Sequence, residues 1–123
     1  MCLAGASGAG AELLAALPHS ELRAHYVWLP MLPPDDEQAA AGAAQRFAEG
    51  RTLHYWDAGR HLSRYVAERL QLGIPFAWDV YLAFGPGAAD VGRPAFWMHQ
   101  LGVTHAPRLD SAEFRRGVEA LLT

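Results

Sequence analysis

Between Phe84 and Ala95 the chain reads Gly85-Pro86-Gly87-Ala88-Ala89-Asp90-Val91-Gly92-Arg93-Pro94, ten residues with three glycines and two prolines. This link joins two aromatic-rich strand candidates, Phe76 to Phe84 and Ala95 to Leu101. A parallel crossover needs about a dozen residues or more, usually folded as a helix. Ten residues broken by glycine and proline cannot supply one. The two strands are therefore expected to be antiparallel, with Gly85-Pro86-Gly87 as the turn, and an all-parallel doubly wound sheet is excluded.

The rest of the chain alternates strand and helix patterns. Cys2 to Ala6 is a short apolar strand candidate, and Gly10 to Leu17 a helix whose Leu13, Leu14 and Leu17 share a face. Tyr26, Val27, Trp28, Leu29 and Met31 form a second strand candidate, within Leu22 to Leu32, punctuated by Pro30, Pro33 and Pro34. Asp35 or Asp36 can cap a helix reaching about Ala48, with Glu37 in its first turn and Gly50 past its end. Arg51 to Trp56 reads as a strand. Asp57 is placed to cap a helix over Ala58 to Leu72 that turns Leu62, Tyr65, Val66 and Leu70 to the core and stops at Gly73. Asp110 or Ser111 can cap a last helix carrying Phe114, Val118, Leu121 and Leu122 on one side. With 123 residues, about half of them apolar, the chain is expected to form one α/β domain over 1–123 with a mixed sheet.

The opening segment Leu3-Ala4-Gly5-Ala6-Ser7-Gly8-Ala9-Gly10 has the look of a phosphate loop between a strand and a helix. Its spacing is neither G-x-G-x-x-G nor G-x-x-x-x-G-K-[ST], and all ten basic residues are Arg, so no Lys can reach a phosphate. The second strand ends in Leu29-Pro30-Met31-Leu32, without the acid that holds a ribose. Nucleotide binding at Gly5 to Gly10 therefore ranks below a structural turn.

Leu53-His54-Tyr55-Trp56-Asp57 followed by a helix, then Leu72-Gly73-Ile74-Pro75, a hairpin and a final helix, resembles the thioredoxin-like superfamily. The likeness is to its branch of thioredoxin-like reductases and peroxiredoxins. Element order carries it over nearly the whole chain; residue matches are confined to Asp57 and Gly73-Ile74-Pro75. It implies a thioredoxin-like mixed sheet of four to five strands flanked by helices, ending in the antiparallel hairpin and helix. It also implies a cis Pro75 packed against the turn after the first strand, and a groove between that turn and Ile74-Pro75 that holds an extended segment through backbone hydrogen bonds. The family carries C-x-x-C at that turn, where a helix N-terminus lowers a thiol pKa. Here the positions are Ser7, Gly8, Ala9 and Gly10. Disulfide exchange needs a second sulfur, and the chain has one cysteine. The resemblance thus implies a dithiol-free, non-redox module that binds a protein or small-molecule ligand through Ser7, Gly8, Ala9, Gly10, Ile74 and Pro75. The enzyme alternative is a thiol-dependent oxidoreductase using Cys2 alone.

Other chemistry is thinly signalled. Cys2 sits inside its strand candidate, where a cysteine is usually an inert small hydrophobe. His54, His61 and His99 lie on different elements without metal-pair spacing, and His19, His25 and His105 fall near turns or a strand edge, so no metal or cofactor is expected. Ser7 in Gly5-Ala6-Ser7-Gly8-Ala9 does not match G-x-S-x-G, which argues against a hydrolase. Asp79, among Trp78, Val80 and Tyr81, needs a partner if buried, and an Arg or His99 could supply one. Alternation on the last strand puts Phe96, Met98 and Gln100 on one face and Trp97, His99 and Leu101 on the other, with most of the aromatics in the core. Four tryptophans leave room for an exposed aromatic binding surface.

A net charge of −3 with interspersed signs offers no basic face for nucleic acid. No apolar run is long enough for a membrane span, and the opening residues lack a basic flank. A cytoplasmic protein is expected, and the arginine- and alanine-rich composition suggests a bacterial source with GC-rich DNA.

Overall fold

A computed structural model describes residues 5–32 and 34–122. It is α/β, with strands β1 (Ala24–Trp28), β2 (Thr52–Trp56), β3 (Val80–Ala83) and β4 (Phe96–His99). The helices are α1 (Glu12–Ala16), preceded by a π-helical stretch Ala6–Ala11, α2 (Glu37–Arg46), α3 (His61–Arg69) and α4 (Ser111–Leu121). The chain divides after Leu62 into two compact units.

In the first unit β1 and β2 run parallel, Ala24 opposite Thr52 and Trp28 opposite Trp56. Alternation sends Tyr26 and Trp28 to one face, where they pack with Ala40 and Ala43 of α2 and with Phe47. Asp36 starts α2, its Oδ1 accepting the Ala39 N–H at 2.8 Å. Leu13, Leu14 and Leu17 are buried, as their spacing predicts. The carbonyls at the end of α1 are met by a distant residue: the Arg51 guanidinium donates to the C=O of Leu14, Leu17 and His19, while its Nε holds Glu49 at 2.9 Å. That contact draws the Glu49 carboxyl below its ordinary range, its backbone bond to Arg51 adding to the effect.

The second unit, Ser63 onward, pairs β3 and β4 antiparallel, as the glycine- and proline-broken link requires, with Ala83 opposite Phe96 and Val80 opposite His99. Val66, Ala67 and Leu70 of the α3 region are buried, as are Phe114 and Val118 of α4. Asp110 caps α4 by accepting the Glu113 N–H at 3.0 Å.

Several expectations are corrected. The strands form two two-stranded sheets, not one sheet of four to five. Between β2 and β3 the chain turns through left-handed conformations at Gln71, Gly73 and Asp79, which shortens the Phe76 to Phe84 candidate to Val80–Ala83. Gly5 and Ala6, the described end of the first strand candidate, are helical, and so is the whole Ser7 to Gly10 segment. Its alanines favour helix, and it has no β-branched or aromatic side chain to hold a strand. The helix expected from Ala58 begins only at His61, because Arg60 adopts φ 57°. The Ile74–Pro75 bond is trans, the ordinary state of an X–Pro bond. Tyr65, expected in the core, is exposed.

Tyr65 serves instead as a tether, its hydroxyl donating to Asp90 Oδ1 at 2.8 Å while the Gly92 N–H donates to the same oxygen at 2.8 Å. These two bonds, the Tyr65 one foremost, hold the Asp90 carboxyl below its ordinary pKa, and the bond to Asp90 pushes the Tyr65 phenol up. Because the folded pKa is depressed, Asp90's contribution is complete above the unfolded value and is lost as pH falls through the folded one. Amide exchange at Gly92 should therefore accelerate, relative to amides of α4, as pH is lowered from 5 to 3. An Asp90→Asn variant should show the faster relative exchange already at pH 5; a ratio independent of both pH and the substitution would remove the tether.

Candidate functional site

Strand β4 helps to build a concavity that lies wholly within the second unit. Gln100 N–H donates to the Asp79 C=O, and the register pairs Tyr81 with Met98 and Ala83 with Phe96. By antiparallel alternation the peptide groups of Phe96, Met98 and Gln100 face β3, and those of Trp97 and His99 face the opposite edge. At His99 that edge is used: its N–H donates to the Pro107 C=O and its C=O accepts from Leu109 N–H, a short parallel bridge centred on Arg108. One step back along β4 the pairing stops. Pro107 has no N–H to offer the Trp97 carbonyl, and the Ala106 C=O turns inward to the His99 ring. Trp97 thus presents a main-chain donor and acceptor on an open edge, with no partner on that side among the described residues.

His99 keeps this opening in shape. It is fully buried, with its Nε2–H donating to Ala106 C=O at 2.8 Å and Nδ1 accepting the Leu101 N–H at 3.0 Å. Those partners require the neutral ring protonated on Nε2. Ring and backbone together pin the 101–109 segment against β4. His105 steadies the same segment by donating to the Leu70 C=O at 2.8 Å, its ring edge-on to Trp97 with centroids 5.7 Å apart.

The opposite wall is α4. Phe96 meets Phe114 edge-on at 5.3 Å and lies against Gly117, where a Cβ would come within 2.5 Å of its ring. Glycine inside a helix costs about 1 kcal/mol relative to alanine; here it makes the notch that seats the ring. The result is a cavity of about 710 Å³ with Pro94, Phe96, Trp97, Met98 and Pro107 among its apolar lining. Glu113 and Arg116 at its rim form an ion pair, so they leave little net charge there.

The first unit holds a different irregularity. The Trp28 indole N–H donates to His54 Nδ1 at 3.0 Å, and Tyr26 stacks on His54 at 4.7 Å. Tyr26 Oη and His54 Nε2 are buried without hydrogen-bond partners among the described residues. Burial, and secondarily the Glu49 charge, raises the Tyr26 pKa, which keeps the phenol neutral. Since the hydroxyl is sealed against Gly10 rather than turned to solvent, we read it as a packing feature.

The residues singled out from the sequence fall in both units. Ser7, Gly8, Ala9 and Gly10 lie on the helical N-terminal segment of the first unit, and Ile74 and Pro75 on a bend of the second. Cys2 lies outside the described residues. Asp79 is half-buried with φ 50° at the start of β3; His99 is not its partner, since both ring nitrogens are engaged elsewhere. Among the described residues no three His, Cys, Asp or Glu side chains gather as metal ligands, and no helix is long and apolar enough to cross a membrane. Sequence reasoning passed over Gly117 and the role of Pro107; a glycine in the middle of an amphipathic helix was the available signal. Comparison with known protein families, curated proteins and solved structures finds no match for the chain.

Proposed function

We propose that this chain is a non-redox binding module whose ligand lies in the cleft between the outer edge of β4 and α4. The observation that carries this reading is the cleft itself, an apolar opening walled by Phe96, Trp97, Met98 and Pro107 and held in shape by the fully buried His99. Apolar walls with a few fixed polar groups are the usual make-up of a ligand site. The fixed polar groups here are the Trp97 N–H and C=O. The order of elements, a parallel β-α-β followed by an antiparallel hairpin and a helix, supports a thioredoxin-like relationship as part of the same proposal. The sequence supports the non-redox part, having no second cysteine for dithiol exchange.

The test is a titration with capped pentapeptides and with indole- and phenyl-bearing small molecules, followed by NMR. Binders are expected to shift the Trp97 indole N–H and the Met98 methyl signal, and Trp97→Ser should weaken them. Binders that shift only residues away from β4 and α4, or no binder at millimolar concentration, would refute the assignment.

A further inference from the structure

We infer that the occupant of this cleft is an extended segment of a partner polypeptide that adds to β4 as a strand, exchanging main-chain hydrogen bonds with Trp97. The inference rests on the binding reading above and goes beyond it by naming the ligand's chemistry. The edge already accepts a strand one step further on, where the chain's own 107–109 segment bridges His99. An incoming segment would continue an existing pairing rather than start a new one.

The chain cannot complete that pairing itself. Continuing the parallel register would require residue 107 to donate to the Trp97 C=O, and residue 107 is proline. The same register would set the Trp97 N–H against the His105 C=O, and no bond joins them among the described residues; the Ala106 C=O is turned to the His99 ring and the His105 ring to the Leu70 C=O. What remains is one unpaired donor and one unpaired acceptor beside apolar walls, the combination that recognises a peptide backbone flanked by apolar side chains. With Glu113 and Arg116 paired to each other, the rim gives no preference for a charged segment.

The probe is a capped pentapeptide of alternating valine and threonine, compared with the same peptide N-methylated at its central amide. Binding of the first should slow hydrogen exchange of the Trp97 amide, and N-methylation should weaken binding about fivefold or more, the equivalent of one hydrogen bond. If both peptides bind equally and the Met98 methyl still shifts, strand addition is refuted while the cleft survives as a ligand site. If no residue lining the cleft responds to either peptide at millimolar concentration, strand addition is refuted, and the cleft itself falls only if the indole- and phenyl-bearing molecules are also silent.

Discussion

Replacing His99 by leucine is expected to cost about 2–5 kcal/mol of stability, because the imidazole is exchanged for an aliphatic side chain of similar bulk that leaves the Leu101 N–H and the Ala106 C=O unpaired in a buried setting. Each such orphan costs about 1–3 kcal/mol. The backbone bonds of residue 99 to Pro107 and Leu109 do not involve the side chain, so the loss should fall on the 101–106 segment first. Urea denaturation gives the total, and exchange at the Leu101 amide gives the local part. A variant within about 0.5 kcal/mol of the parent would mean that the ring does not hold the cleft wall. In an otherwise folded variant, the cleft should lose its peptide affinity along with its shape.

The second large effect belongs to Gly10. A methyl group there would lie 2.1 Å from Tyr26 Oη and 2.8 Å from Cζ. Tyr26 has little room to yield, being stacked on Trp28, Phe47 and His54. Gly10→Ala should therefore destabilise by about 1–3 kcal/mol, the cost of overpacking, although alanine is the better helix former. Tyr26→Phe should by itself be neutral or stabilising by up to about 1 kcal/mol, since it deletes a buried hydroxyl that has no partner among the described residues. In the Tyr26→Phe background Gly10→Ala should cost less, though not nothing, because Cζ stays close. Thermal or urea denaturation of the four proteins completes the cycle, and additive costs would show that hydroxyl and glycine do not meet.

Caps and periodic faces were readable: Asp36 and Asp110 start their helices, Leu13, Leu14 and Leu17 are buried, and the Gly85 to Pro94 link gives an antiparallel pair. The Ser7 to Gly10 segment was misread because a run of small residues has no periodicity of its own; only Tyr26, distant in sequence, reveals why Gly10 is there. Tyr65 matches a core position by spacing, yet its hydroxyl is committed to Asp90, a contact across 25 positions that no local pattern encodes. The cleft was illegible for a related reason. Its key groups are a backbone edge and a missing N–H, and these acquire meaning only once strand register is known.

The Arg51 clamp bears on the order of assembly. Even counted with the π-helical Ala6–Ala11 before it, helix α1 does not exceed the ~12–15 residues below which a helix is marginal alone in water. Its terminal carbonyls wait for a guanidinium that arrives only when the start of β2 is in place, across sequence separations of 32 to 37 residues. The N-terminal helix is therefore expected to be a conditional element of its unit, one that forms after the strands have met and melts first when β2 lets go.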